Sequence, residues 1–426
     1  VNLDSTTLFW AIVTLWIVVF VIERTAELLQ YKAASVPYPE SLSEIQNPTE
    51  HEKALAYLAE RNRLGWSQES VSLIVFIASL SLGLFGGIAE LAERMTAMPW
   101  LRATLFVAML SGLKGLLDLP FAWISTFTIE AKYGFNRTTV ATFFMDRLKG
   151  SVLGLGLLAP ILAFAIWMLE TTGDRAWLLI WAGYTTFQFA LLFIAPIAIL
   201  PLFLKLTPLH DGELKTAIEA YVSKQTFKLN GVWVCDASKR STKTNAFFTG
   251  FGKFRRLVLF DTMIAKIDDP ATTPERKKEL VAEIVAITAH EAGHFRLGHI
   301  WKSTLVSTLV SALILYLAQR ILESPELYLA FGLFPPQPAY GLPLAVMLLG
   351  KLGFFGSFAA NYFSRMNEYS ADRFSVETYG DREALIRGLK HLYRENLAIL
   401  VQHPLFTALF ASHPPLLPRT DAIRKA

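Results

Sequence analysis

The residues in this chain best suited to chemistry are two histidines four apart with a glutamate beside the first: His290, Glu291 and His294, in the run ELVAEIVAITAHEAGHFRLGHIW. On a helix, positions i and i+4 lie one turn apart on the same face. Both imidazoles can therefore bind one Zn²⁺, and the adjacent carboxylate can reach a water on that ion. A helix this apolar has little other use for two histidines and an acid, and Gly293 puts no side chain beside the expected metal. A catalytic zinc usually takes three protein ligands plus water. Further on, NYFSRMNEYSADRFS reads as helix with Glu368 and Asp372 one turn apart. Alone, such a pair would be a solvated helix face. On the helix following the one that pairs with the HExxH helix, Glu368 becomes the expected third ligand of a single zinc. Asp372 is expected to accept a hydrogen bond from the outer nitrogen of a ligating histidine, fixing its tautomer.

The chemistry these residues would support is hydrolysis. Zinc would polarise a scissile carbonyl, while Glu291 takes the proton of the attacking water and later delivers it to the leaving amine. The tetrahedral oxygen needs a further donor. His413 and Arg419, in the tail ASHPPLLPRTDAI, are candidates, although a His-Pro turn and an arginine at a helix start are also ordinary features. His299, five residues beyond His294, would point off the metal face of a continuous helix and reads as structural. His210, His391 and His403 have no partner legible in the sequence.

The elements that must position these groups are set by composition. Apolar residues make up 53% of the 426 and charged residues 18%, with a mean hydropathy of +0.38, against about 25% charged in a soluble domain. That excludes disorder. A single cysteine, Cys235, excludes a disulfide-stapled fold, and a net charge of +4 gives no nucleic-acid footprint. The chain reads as an all-α integral membrane protein whose partners are the lipid bilayer and a peptide or protein substrate, with its oligomeric state left open.

Seven stretches approach the roughly 20 apolar residues needed to cross a bilayer. They run from about Leu8 to Ile22, Val71 to Leu91, Leu101 to Phe121, Val152 to Leu169, Trp177 to Leu204, Leu305 to Ala318 and Leu342 to Phe363. The first, lacking a basic flank, reads as an anchor and not a cleaved leader. Lys and Arg crowd the first-to-second and third-to-fourth connections, which puts the N-terminus outside and the segment after Lys205, with the C-terminal tail, on the cytosolic side. Pro196 and Pro201 would bend the fifth span. Lys114 and Asp118, four apart in the third, could pair within the membrane. In the polar segment, Val232 to Cys235 and Arg256 to Phe260 read as strands of a small β-hairpin, with turn-like residues at Ser238 to Thr244 and Gly250 to Lys253. The expected organisation is residues 1–204 as spans one to five, 205–302 as a cytosolic protease segment, 303–364 as spans six and seven, and 365–426 as a helical tail completing the zinc site.

With these motifs in order, the chain resembles the type I CAAX prenyl proteases, multi-spanning gluzincin metalloendopeptidases. The resemblance is carried by EAKYGFNRTT, PLFLKLTPLHDGELKTAIE, SKRSTKTNAFFTGFGKFRRLVLFDTM, HEAGH, NEYSADRFS and SHPPLLPR. It implies a seven-helix barrel around a water-filled chamber, a peptide bound in extended form along a sheet edge, and C-terminally prenylated substrates. It assigns zinc to His290, His294 and Glu368, catalysis to Glu291, an outer role to Asp372, a transition-state donor to His413, a tail arginine to Arg419 and a substrate contact to Asn245. The membrane implied is that of the endoplasmic reticulum or, absent a retrieval motif, a bacterial inner membrane. Two other classes fit parts of the pattern: a zinc-containing channel or transporter, suggested by Lys114, Asp118 and Lys351, and a protease cutting within transmembrane segments.

Overall fold

The structure, a computed structural model, describes residues 4–36, 45–225, 229–250 and 255–426; Lys253 of the expected turn lies outside them. The first helix, α1 (Ser5–Ala34), starts where the Asp4 carboxylate accepts the Thr7 backbone N–H. Its Trp10, Ile17, Val18 and Val21 stay exposed, the pattern of a helix apolar all round. Next, α2 (Pro48–Ser81) opens on a reciprocal cap between Asn47 and Glu50. It stops at Gly83, whose φ of +70° is left-handed, and α3 (Leu84–Met95) leaves at a 68° bend. The expected second span, Val71 to Leu91, is therefore two helices. Gly86 of α3 lies against the Gly332 carbonyl so closely that a Cβ would collide with it.

After α3 come α4 (Pro99–Trp123), which runs on through a π-helical turn at Ile124–Glu130, and α5 (Val140–Thr172). A 3₁₀ turn at Gly173–Arg175 joins α5 to α6 (Ala176–Ile194). Gly183 of α6 receives the Phe164 ring of α5 where a Cβ would clash, so the two helices fold back antiparallel. A π-helical turn at Ala195–Ile199, containing Pro196, leads to α7 (Leu200–Phe203). The proline thus reshapes this span without ending it.

The polar segment follows as β1 (Leu206–Pro208), α8 (Glu213–Ser223), β2 (Val232–Cys235), β3 (Ala246–Thr249), β4 (Arg256–Phe260) and α9 (Asp261–Asp268). Both strands expected from the sequence are present, but they are not a hairpin. β2 pairs with β4 in parallel, while β3 pairs with β4 antiparallel, in a four-stranded sheet ordered β1-β2-β4-β3. The alternation of apolar residues predicts a strand but not its neighbour, and the extra strand β3, not expected from the sequence, lies between the two turn-like stretches. Its far side is a free sheet edge among the described residues.

The helix carrying the two histidines, α10 (Pro274–Arg296), begins on a Thr273 cap with Pro274 at its first position. It is buried along Leu280 to Gly293, between the sheet with α8 on one side and later helices on the other. It does not run into the next helix. Gly298, at φ +70°, breaks the chain between α10 and α11 (His299–Leu322). Then come α12 (Pro325–Ala330), α13 (Pro338–Leu352), a 3₁₀ turn at Gly353–Gly356 that interrupts the expected seventh span, and α14 (Ser357–Tyr379). α15 (Arg382–Glu395), α16 (Pro404–Phe410) and α17 (Leu416–Lys425) complete the chain.

Among the described residues, five helical stretches are long and apolar enough to cross a membrane: Ser5–Ala34, Pro99–Glu130, Val140–Phe203, His299–Leu322 and Pro338–Tyr379. The bent α2–α3 pair makes a sixth, and Val140–Phe203 contains the α5–α6 hairpin. Phe85, Phe106, Ile166, Phe331 and Tyr340 form the apolar core among them. Lys114 and Asp118 do pair, at 2.5 Å, and with Glu23, Glu69 and Lys351 they line a cavity of about 840 Å³.

One buried ion cluster locks α10 in place. Glu283, 2% exposed, accepts from Arg276 at 2.8 Å and lies 3.0 Å from His391 Nδ1 on α15, giving His391 the partner its sequence context did not reveal. Burial pushes the Glu283 carboxyl up, but the His391 and Arg276 hydrogen bonds outweigh it and hold it below the usual range. A depressed carboxylate contributes stability above its unfolded pKa and loses it as pH falls through the folded one. Glu283→Gln is therefore expected to cost about 1–3 kcal/mol at neutral pH. Tm measured on the detergent-solubilised protein should fall, and the gap to wild type should narrow as pH drops below 4.

Candidate metal centre

α10 and α14 cross at their closest where glycine permits it. A Cβ on Gly293 would lie 3.0 Å from the Ala371 Cα and 3.2 Å from its carbonyl oxygen. The glycine between the histidines is thus explained by helix contact, a tighter constraint than room beside a metal. Through this contact His290 and His294 of α10 meet Glu368 and Asp372 of α14, and the 411–426 tail lays His413 and Arg419 across them.

Three groups converge. His290 Nε2 lies 3.1 Å from His294 Nε2 and 3.5 Å from Glu368 Oε2, and His294 Nε2 lies 3.2 Å from Glu368 Oε1. Tetrahedral zinc with bonds of 2.0–2.1 Å would hold its ligand atoms about 3.3 Å from one another. The residues fit such an ion by separation and by chemistry, two imidazoles and a carboxylate. Behind them, His290 Nδ1 lies 2.8 Å from Asp372 Oδ1. Arg419 donates to both Asp372 oxygens, at 2.6 and 2.8 Å, and its Nη2 also lies 3.1 Å from Glu368 Oε2 and 3.3 Å from each ring nitrogen of His290. This guanidinium, 4% exposed, balances two buried carboxylates and fixes their orientation with a fork that lysine lacks. Among the sequence candidates for an oxyanion donor, Arg419 is accordingly committed to the carboxylates.

A cavity of about 740 Å³ opens on the cluster, lined by Glu291, His294, His299, Glu368 and His413 and by Phe248, Thr249 and Gly250 at the end of β3. Glu291 faces this enclosed space half-buried; burial pushes its carboxyl up, while His290 and His294 pull the other way. The net effect is upward, the direction that suits a proton-transferring carboxyl. His413 reaches Glu368 Oε1 at 3.4 Å with its side chain 63% exposed, so it stands free to meet something entering the cavity. Asn245 is not brought into the cluster. It sits exposed at the start of β3 with its side-chain oxygen accepting the Ala246 N–H, and it is not among the described residues lining the cavity.

His299 stays outside the three-donor group, as the sequence suggests, but its ring does not point off the metal face. On a continuous helix a residue five positions on is turned away by about 140°. The left-handed Gly298 resets that phase, and the buried His299 ring returns to within 3.0 Å of His294 Nδ1. The glycine one residue earlier was the available signal. His403 caps α16 through the Leu405 N–H.

Comparison with known proteins gives a consistent result. Residues 27–205 match the family described as CAAX prenyl protease N-terminal, five membrane helices, and residues 208–426 match peptidase family M48. The chain is 32% identical over 428 residues to a probable CAAX prenyl protease 1 of Schizosaccharomyces pombe, covering 95% of this chain and 87% of that one. It is 32% identical to a CAAX prenyl protease 1 homolog of Arabidopsis thaliana, covering 97% and 96%. The crystal structure of S. mikatae Ste24p superposes with a TM-score of 0.87 at 28% identity, over 97% of this chain and 98% of that chain.

Replacing the contact glycine tests the geometry. Gly293→Ala should push α14 off α10 and weaken zinc binding about tenfold or more in chelator competition, with a smaller effect on the Tm of the metal-free protein. Wild-type zinc affinity in this variant would mean that the helix approach does not set the site.

Proposed function

The chain belongs to the M48 peptidases of the CAAX prenyl protease family and is a multi-pass membrane metalloendopeptidase, and we propose that it works with one zinc ion held by His290, His294 and Glu368. The observation that supports this most is the set of donor separations, 3.1, 3.2 and 3.5 Å, each near the edge of a zinc tetrahedron. Zinc bound there would lower the pKa of a water and polarise the scissile carbonyl.

The chain's own residues do the rest. Glu291 takes a proton from the attacking water and delivers it to the leaving amine. His413, exposed to the cavity, donates to the oxygen that gains charge as the carbonyl becomes tetrahedral. Asp372, held by Arg419, keeps the His290 proton on Nδ1, away from the metal side. The substrate enters extended and adds to the free edge of β3, whose end already borders the cavity. Asn245, at the start of that strand, is offered to the same peptide further from the scissile bond.

The substrates we infer are C-terminal peptide segments with a prenylated cysteine. The spans form a seven-crossing enclosure, with the protease segment and tail facing the cytosol by the distribution of Lys and Arg. An endoplasmic reticulum membrane suits a family whose matched relatives here are eukaryotic. A channel is disfavoured because Lys114 and Asp118 neutralise each other.

Purified, zinc-quantified protein should cleave a farnesylated C-terminal peptide and cleave its unmodified twin more slowly. Glu291→Gln should lose about 10²–10⁴ in kcat with zinc still bound. Chelation should abolish turnover and added zinc should restore it. Full activity in Glu291→Gln would remove the mechanism, and equal rates on the two peptides would remove the lipid preference.

A further inference from the structure

The two histidines of the metal centre are backed by different partners. Behind His290 is the Asp372 carboxylate, which only accepts, so the His290 proton sits on Nδ1 and its Nε2 presents a lone pair. His294 has instead another imidazole behind it. His294 Nδ1 lies 3.0 Å from His299 Nδ1, His299 Nε2 lies 3.2 Å from Ser370 Oγ, and the Ser370 hydroxyl donates to the Asn367 carbonyl at 2.8 Å.

These contacts have a direction. A carbonyl oxygen has no proton to give and a serine hydroxyl has one. With that proton on Asn367, Ser370 accepts from His299 Nε2–H. His299 Nδ1 is then bare and accepts from His294 Nδ1–H. His294 Nε2 is left with a lone pair facing His290 Nε2 and Glu368 Oε1. Running the chain backwards, with Ser370 donating to His299, would put a proton on His299 Nδ1 and then one on His294 Nε2. That proton would occupy the space where the three donors converge.

We propose that His299 is a positioning residue that, with Ser370 and the Asn367 carbonyl, fixes His294 in its metal-binding tautomer; the inference rests on the zinc reading given above. The relay starts on α14 at Asn367 and Ser370, crosses to His299, the first residue of α11, and ends on α10 at His294. One turn of α14 thus supplies a ligand, Glu368, and the anchor that orients another. The break at Gly298 acquires a purpose, since without it the ring would face away.

The test is zinc affinity of the intact chain in detergent, by chelator competition, alongside the Tm of the metal-free form. His299→Leu should bind zinc about 10–100-fold more weakly. His299→Asn, which keeps an acceptor near the Nδ1 position, should recover most of that loss. A merely structural histidine would lower the metal-free Tm and leave affinity alone. Should His299→Leu fail to fold, Ser370→Ala removes only a hydroxyl and is expected to weaken zinc several-fold. Wild-type affinity in His299→Leu or in Ser370→Ala, or equal losses in the Leu and Asn variants, would overturn the proposal. If the wild type itself bound no zinc that His290→Ala abolishes, the zinc reading would fail instead.

Discussion

Three electron-pair donors, two of them imidazole nitrogens 3.1 Å apart, face one another in a largely buried space. Such an arrangement is repulsive by itself and would be stabilised by a cation at its centre, the zinc of the proposed function. The surrounding structure can be understood as the means of forcing that meeting. Gly293 removes the side chain that would hold α10 and α14 apart. Arg419 brings a buried positive charge to two buried carboxylates, and each histidine has its outer nitrogen occupied.

Charge is arranged in layers around this point. Nearest are the two imidazoles and Glu368; behind them lies the Asp372–Arg419 pair, whose guanidinium also reaches Glu368. Further along α10, two turns before His290, Glu283 joins Arg276 and His391 in a separate buried cluster that ties the helix to α15. The two clusters hold α10 at different points along its length. Under the proposed mechanism this matters, because Glu291 must keep its place relative to a substrate lying on a different element, β3. The cavity brings the β3 end, Glu291 and His413 to one space, and nothing in that arrangement requires the polar groups lining the membrane-level cavity near Lys114 and Asp118.

Local signals in the sequence were readable where helical periodicity governs. His290, His294, Glu368 and Asp372 could be paired because i and i+4 share a face, and the structure brings these four together. Long-range pairing was not readable. Val232 to Cys235 and Arg256 to Phe260 have the composition of strands, yet their parallel register depends on β3 and on the rest of the sheet. The breaks were hidden for a different reason. Gly83 and Gly298 are glycines inside segments that otherwise read as continuous helix; the residue type allows a break, but their left-handed backbone shows that one divides a span and the other rephases His299. The same applies to GFFG at 353–356, where apolar side chains conceal a change of helix type.

The most direct test of the central claim is zinc K-edge X-ray absorption on the purified, metal-loaded protein. The account requires a shell of nitrogen and oxygen only, at about 2.0–2.1 Å, with the multiple scattering of two imidazoles; one of these should disappear in His290→Ala. A sulfur neighbour near 2.3 Å, or a spectrum indifferent to that substitution, would mean that the metal lies elsewhere and that the convergence of α10 and α14 serves another end.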